Sequence, residues 1–242
     1  MTERKKIHFL YRFHFENGTE KSFDVVLDEG SLDLVRDEPE TKPDWAKLKF
    51  SQCENCPLSD EVEYCPVAVN LAGLVESFSA YASYEAATVT VETRERTYVK
   101  KTTLQKGLSG ILGIYMPTSN CPILSKMRPM TRFHLPFANS FETFFRSVSS
   151  YITVQFLLMR RGETPDWDLE GLKEIYKEVN TVNKGMSARL HKATEKDANI
   201  NAVVILHSFG DGISYFIESG LSDLEPMFGV FLNQDKSSGQ RP

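Results

Sequence analysis

Four cysteines constrain the fold of this 242-residue chain more than any other feature of its sequence. They are Cys53, Cys56, Cys65 and Cys121, and they form the pattern C-x2-C-x8-C with a distant fourth member. Two thiolates on one short turn can bind the same metal ion, and four complete a tetrahedral site. If Cys121 shares an ion with the other three, the second half of the chain must fold against the first.

Zinc is the metal that this set of cysteines favours, because a closed four-cysteine site for structural zinc needs no other ligand. A [4Fe–4S] cluster is the alternative cofactor, since four thiolates also suffice for it and cysteine followed by proline recurs in cluster-binding motifs. Three of the four cysteines here precede a proline. The first interpretation predicts a metal-stabilised binding or regulatory protein, and the second predicts a redox or electron-transfer protein.

A third interpretation is a metal-dependent enzyme, in which three cysteines leave one position on the ion open for water. His134, thirteen residues after Cys121, is the best candidate for a further group beside such a site. A packed histidine with a hydrogen bond to the backbone is the favoured interpretation of His134. The sequence contains no Gly-x-Ser-x-Gly and no His-Glu-x-x-His motif, so a binding or regulatory protein is favoured over an enzyme, and the enzyme interpretation stays open.

Charge is distributed unevenly along the chain, although the net charge is only −5. The segment from Glu16 to Glu63 has 14 acidic and 5 basic residues, whereas the segment from Thr93 to Phe137 has 8 basic residues and 1 acidic residue. The acidic total argues against a general nucleic-acid binder. The basic segment predicts a surface for an anionic ligand or protein partner, formed by Arg96, Lys100, Arg128 and Arg132. Alternatively, the acidic and basic segments face each other and partly neutralise each other's charge.

The first part of the chain has the pattern of an antiparallel sheet with one helix. Apolar residues alternate from Ile7 to Phe15 and again from Phe23 to Leu27, and Asn17-Gly18 between them predicts a hairpin turn. A third strand is predicted at Trp45–Phe50, and a helix begins near Pro66, which suits a first helical turn. A second hairpin is predicted within residues 88–100.

After residue 103 the apolar residues follow helical spacing. Asn139 and Glu142 predict a capping box at the start of an aromatic-rich helix, and further helices are predicted from Thr164-Pro165 and from Asp197. The fold class is therefore α+β, with an antiparallel sheet and a helix in the N-terminal half and a helical bundle in the C-terminal half. We expect two parts, residues 1–103 with the cysteine loop and residues 104–242, joined by the shared four-cysteine site.

The location expected from these features is the cytoplasm. The N-terminal residues lack the apolar core of a signal peptide, and the longest apolar stretches are interrupted by polar residues, so no membrane segment is expected. The reducing cytoplasm disfavours disulfides, which again favours metal binding by the cysteines. Two arrangements of the aromatic-rich helix are compatible with its pattern. It packs in the core of one chain, or it forms an interface between copies of the chain in a homo-oligomer.

The chain also resembles an uncharacterised bacterial protein family with no assigned function. The residues that support this resemblance are spread over most of the sequence: Cys56-Pro57-Leu58, Cys65-Pro66-Val67-Ala68, Ser119-Asn120-Cys121-Pro122, Arg128-Pro129-Met130, His134-Leu135-Pro136-Phe137 and Asp197-Ala198-Asn199-Ile200-Asn201-Ala202. Because the family has no assigned activity, the resemblance implies no fold, cofactor or substrate for this chain.

Overall fold

A four-stranded antiparallel sheet forms the N-terminal part of the protein. The computed structural model describes residues 5–36, 41–194, 196–219 and 221–233. The strands are β1 (Lys6–Phe15), β2 (Glu20–Asp28), β3 (Ala86–Glu92) and β4 (Thr97–Thr103), in the order β2-β1-β3-β4. Every neighbouring pair is antiparallel, so both predicted hairpins are confirmed.

Alternating aromatic residues place β1 at the centre of this sheet. Phe9, Tyr11, Phe13 and Phe15 are buried on one face, as expected for a strand with one side towards the core. The turn to β2 contains Gly18, whose φ of +83° lies in the left-handed region that hairpin turns require. Local sequence therefore accounts for this hairpin and for its register.

Seven helices complete the described fold. They are α1 (Pro66–Ser77), α2 (Leu104–Tyr115), α3 (Pro129–Arg132), α4 (Ser140–Arg160), α5 (Glu170–Ala193), α6 (Ala198–Glu218) and α7 (Gly229–Leu232). Together with the sheet they confirm the α+β class, with most helices in the C-terminal half. The capping box at the start of α4 is also confirmed, because Asn139 Oδ1 accepts from the Glu142 N–H and Glu142 Oε2 accepts from the Asn139 N–H, both at 2.8 Å.

Helix α2 lies directly on the sheet because it presents a glycine at the contact. A Cβ at Gly107 would lie 2.8 Å from Val89 Cγ2 and 2.9 Å from Phe13 Cε1. The main hydrophobic core continues from this contact through α1, α5 and α6, so it contains residues from both predicted parts of the chain. The division of the chain into two parts at residue 103 stays a prediction. The outer ends of these parts, residues 1–4 and 234–242, lie outside the described residues.

The predicted third strand at Trp45–Phe50 is wrong. This segment forms two short 3₁₀ turns, Asp44–Ala46 and Leu48–Phe50, which bury Ala46 and Leu48. The irregular backbone is stabilised by a side chain from α5, described below, which no local pattern in residues 45–50 reveals.

The start of α5 also differs from the prediction at Thr164-Pro165. The helix begins at Glu170, after Leu169 with a φ of +61°. Asp166 sets this position, because its Oδ2 accepts hydrogen bonds from the Gly171 N–H at 2.7 Å and from the Tyr151 hydroxyl at 2.8 Å. A carboxylate that accepts from the first free N–H groups of a helix stabilises its N-terminus.

Helix α6 is more apolar than the sequence pattern suggested. Among the described helices it alone is long and apolar enough to cross a membrane, with a window mean hydropathy of 1.3. Of that window, 41% is buried inside the protein. The core helices of soluble proteins pass the same test, so α6 is weak evidence for a membrane.

Candidate functional site

The four cysteines come from three separate segments that the fold brings to one region. Cys53 and Cys56 lie on a turn after Leu48–Phe50, and the Cys56 N–H donates to the Cys53 carbonyl at 3.1 Å. Cys65 directly precedes α1, and Cys121 lies in the loop that follows α2. All four are free thiols; Cys65 and Cys121 are buried and the other two are half-buried.

The cysteine sulfurs lie within electrostatic range of one another. Burial raises the pKa of Cys53 to about 12, and the other three cysteines act in the same direction. Burial also raises the pKa of Cys121, while hydrogen bonds from the backbone N–H groups of Leu124 and Ile123 partly oppose this increase. Such N–H groups stabilise a negatively charged sulfur, which is the form that binds metal ions.

Helix α5 packs closely against the turn that contains the first two cysteines. The Cys53 thiol lies 3.9 Å from the Val182 carbonyl, and Asn55 Nδ2 donates to the Glu178 carbonyl at 3.0 Å. Gly185 makes this approach possible, because a Cβ at that position would lie 2.6 Å from Cys53 Sγ. The turn is therefore held by α5 as well as by its own hydrogen bonds.

Further along α5, Arg189 places a buried cation beside the cysteines. Its side chain is only 1% exposed, and its guanidinium donates hydrogen bonds to four backbone carbonyls, those of Trp45, Lys47 (2.7 Å), Leu48 (3.1 Å) and Ser51 (2.7 Å). No carboxylate among the described residues forms an ion pair with it, and its Nε has no partner there. Burial lowers the Arg189 pKa, and Cys65, Cys53 and Cys56 oppose this effect.

The arrangement is not that of a formed metal site. Within the described part of the chain, no group of three or more histidine, cysteine, aspartate or glutamate side chains is placed so that it could hold a metal ion. The cysteines share one region but do not form a metal site in it. Zinc or an iron–sulfur cluster at that region stays a prediction.

Two of the four basic residues predicted to bind anions are paired with acidic residues. Arg128 Nη1 lies 2.6 Å from Asp33 Oδ1, and its Nη2 donates to Asn120 Oδ1 at 2.7 Å. Arg132 Nη2 lies 3.1 Å from Glu29 Oε1. The basic and acidic segments thus face each other at these two positions.

The other two basic residues lie on or beside β4. Lys100 Nζ is 5.8 Å from the centroid of the Phe137 ring, and no ion pair of Lys100 occurs among the described residues. Arg96 lies in the turn between β3 and β4, where Nη1 donates to the Tyr98 hydroxyl at 3.4 Å. Of the four predicted residues, Lys100 alone lines the apolar cavity described below.

His134 packs against the central strand of the sheet. Its Nε2 and the Tyr11 hydroxyl form a hydrogen bond at 2.5 Å, and its ring meets the edge of Phe9 at a centroid distance of 5.4 Å. Burial raises the Tyr11 pKa, so the hydroxyl keeps its proton. Burial lowers the pKa of His134 to about 3, and Arg146 adds to this decrease. The structure therefore surrounds a neutral His134 with Tyr11, Phe9 and Arg146, and no cysteine contributes to its pKa.

A cavity of about 400 Å³ lies between β4, α2 and the helices α4 to α6. Its walls are mainly apolar, which is usual for small-molecule sites, and its volume falls in the range of such sites. Three cationic side chains line it, those of Lys100, Lys106 and Arg146, together with His134. No carboxylate side chain is among its described lining residues.

Sequence reasoning missed Arg189, Gly185 and Arg146. Arg189 had a usable signal, because it follows Val182 and Met186 at helical spacing and so lies on the buried face of α5. An arginine at such a position needs partners that the helix itself does not supply. Gly185 and Arg146 had no comparable signal, since their roles depend on the close approach of distant segments.

The comparison with known families gives a match over most of the chain. Residues 9–229 match the family described as a domain of unknown function, DUF6901. The chain belongs to this family. The match includes all four cysteines and confirms the resemblance to an uncharacterised family, although it does not show a bacterial origin. No curated protein and no solved structure matches the chain.

Proposed function

We propose that this chain is a metal-stabilised binding protein in which Cys53, Cys56, Cys65 and Cys121 hold one zinc ion. The observation that supports the proposal is the buried Arg189 guanidinium beside three of these cysteines, without a carboxylate partner among the described residues. A divalent ion bound by four thiolates carries a net negative charge. Arg189 would supply the compensating positive charge.

The energetic reason is the cost of a buried, uncompensated charge. Transfer of an ion from water into the protein interior costs several kcal/mol even after relaxation. The four backbone carbonyls around Arg189 offset part of this cost, and negatively charged sulfurs would offset more. A metal ion would keep the sulfurs charged despite the burial that raises the pKa of Cys53 and Cys121. Binding would require the thiols to turn towards one point.

The metal would act by connecting segments that are distant in sequence. Cys121 follows α2, whereas the other three cysteines lie before α1. Gly185 brings α5 against the turn that contains Cys53. Loss of the ion would then loosen the contact between the sheet and α5. We propose a reducing, cytoplasmic location, which the four free thiols support.

A [4Fe–4S] cluster is the alternative cofactor, because it uses the same four thiolates and also leaves a net negative charge for Arg189 to offset. In that case the protein would be a redox or electron-transfer protein. An enzyme with an open metal position beside His134 has less support, since the groups that surround His134 include no cysteine.

Elemental analysis with an absorption spectrum tests the proposal on protein purified without oxygen and without added metal. We expect about one zinc per chain and no visible absorption. Iron with sulfide and a broad band at roughly 400 nm would identify the cluster instead. Protein that contains neither, and takes up neither zinc nor iron on reconstitution, would overturn both.

Two serine variants and one control test the proposed ligands. Cys56→Ser and Cys121→Ser should lose the metal, whereas Ser59→Ala, in the exposed loop between Cys56 and Cys65, should retain it. A full equivalent of metal in Cys56→Ser and Cys121→Ser, as in Ser59→Ala, would place the ion elsewhere on the chain.

A further inference from the structure

We propose that the cavity between β4, α2 and the helices α4 to α6 binds an amphipathic anion, a carboxylate attached to an unbranched apolar chain. None of the four cysteines lines this cavity, so the inference is independent of the metal site. Three observations support it: a buried N–H of Arg146 without a described protein partner, an excess of positive charge, and apolar walls of suitable size.

One polar side chain in the cavity wall lacks a hydrogen bond that buried groups normally make. Arg146 Nη2 donates to the Met130 carbonyl at 3.0 Å, but its buried Nε has no partner among the described residues. A carboxylate in the cavity could accept from this N–H, and charged acceptors form the stronger hydrogen bonds.

The charge of the cavity wall selects an anion. Lys100, Lys106 and Arg146 line it, and no carboxylate side chain does so among the described residues. None of these three cations forms an ion pair elsewhere in the described part of the chain. The three cavity cations differ in this respect from Arg128 and Arg132, whose charges are already neutralised by acidic side chains. Lys100 and Lys106 are exposed, whereas Arg146 is half-buried, so the attraction for an anion is strongest at Arg146, where less water screens the charge.

The remaining wall fits an apolar chain. It includes the flexible side chains of Met116, Met127 and Met130, which adapt to ligands of irregular shape, and Leu206 of α6. With roughly 30 Å³ for each non-hydrogen atom, the volume of about 400 Å³ accommodates about a dozen such atoms. Decanoate has this size and combines one carboxylate with an unbranched chain.

Isothermal titration calorimetry with decanoate tests the proposed charge selection, and decylammonium provides a ligand of the same length and opposite charge. We expect one saturable decanoate site and binding of decylammonium that is at least about tenfold weaker, as expected for the loss of a charged hydrogen bond. Arg146→Met should weaken decanoate binding by roughly 10- to 100-fold. Arg160→Met, at the exposed end of the same helix, should bind as the wild type does. Equal binding of both ligands, or an unchanged affinity in Arg146→Met, would overturn the proposal.

A variant that fills the cavity tests its location independently of charge. A Cβ at Gly113 of α2 meets no atom within 4 Å, so Gly113→Leu should extend into the cavity without disturbing the fold. Gly73→Leu is the matched control, because Gly73 lies in α1 outside the cavity and also has no atom within 4 Å of an added Cβ. We expect Gly113→Leu to abolish decanoate binding and Gly73→Leu to retain it. Decanoate binding of wild-type strength in Gly113→Leu would place the ligand elsewhere and overturn the proposal.

Discussion

Gly185 on α5 faces Cys53 so closely that an added Cβ would lie 2.6 Å from the sulfur and 3.2 Å from the Cys53 Cα. Part of this contact is with backbone, which cannot move aside as a flexible side chain can. The absence of a side chain at residue 185 therefore sets the distance between α5 and the cysteine turn. Substitutions at Gly185 test how much of the stability depends on this contact.

Gly185→Ala should lower the free energy of unfolding by about 1–3 kcal/mol, because overpacking forces the backbone to shift. Urea unfolding followed by circular dichroism measures this change. Gly73→Ala is the control, since its Cβ meets no atom within 4 Å. It should raise the free energy of unfolding by about 0.5–1 kcal/mol through helix propensity. A stabilised Gly185→Ala variant would show that the turn adapts without cost.

Arg189→Met should destabilise the protein by about 3 kcal/mol or more, because four backbone carbonyls lose their donor. Lys184→Met removes a positive charge from the exposed side of the same helix and should change the free energy of unfolding by no more than about 0.5 kcal/mol. Urea unfolding of both variants at the same pH separates the two effects. Similar stabilities would mean that the guanidinium contributes nothing to the 3₁₀ turns.

Protonation of His134 should destabilise the fold in acid. The pKa of folded His134 is lowered to about 3, against 6.5 for an ordinary histidine, so between these values the unfolded state binds more protons. The free energy of unfolding then falls as the pH falls, by about 1.4 kcal/mol per pH unit within this window. His134→Gln can still form a hydrogen bond with Tyr11 but cannot be protonated, and it should lose this part of the pH dependence. Parallel pH profiles for the two proteins, measured by urea unfolding, would contradict the prediction.

Removal of the metal should lower the stability of the metal-loaded protein. A ligand that binds only the folded state at about a thousand times its Kd adds about 4 kcal/mol to the free energy of unfolding. A chelator should therefore lower the melting temperature of the wild type and leave that of Cys121→Ser unchanged. A chelator effect of equal size in both proteins would argue against Cys121 as a ligand.

Local sequence patterns predicted the elements whose stabilising contacts are local. Alternation in β1 and the Asn17-Gly18 turn predicted the first hairpin, and Asn139 with Glu142 predicted the start of α4. These predictions hold because the residues that stabilise each element lie within a few positions of one another. The prediction of a strand at Trp45–Phe50 failed for the opposite reason. Arg189 of α5, far away in the sequence, supplies hydrogen bonds that stabilise the 3₁₀ turns of this segment.

Asp197 shows the same distinction in a single residue. Helix α6 begins directly after Asp197, as the sequence predicted, yet the Asp197 side chain makes no cap hydrogen bond. Its carboxylate instead accepts from the Ser83 N–H at 2.8 Å and the Ser83 hydroxyl at 2.9 Å, which joins the start of α6 to the segment before β3. A polar residue near a helix end can bind to whichever donor the fold brings closest.

The sequence by itself determined the α+β class, the two hairpins, the start of α4 and the choice of the four cysteines as the candidate site. Each depends on residue type and short-range spacing, which set backbone preference and hydrophobic pattern. The tertiary structure alone decided that Arg189 lies buried beside those cysteines, that Arg128 and Arg132 pair with acidic residues, and that three cations without a described ion pair line a cavity. These features depend on contacts between residues far apart in the chain, and burial there determines which charges and polar groups are left without partners.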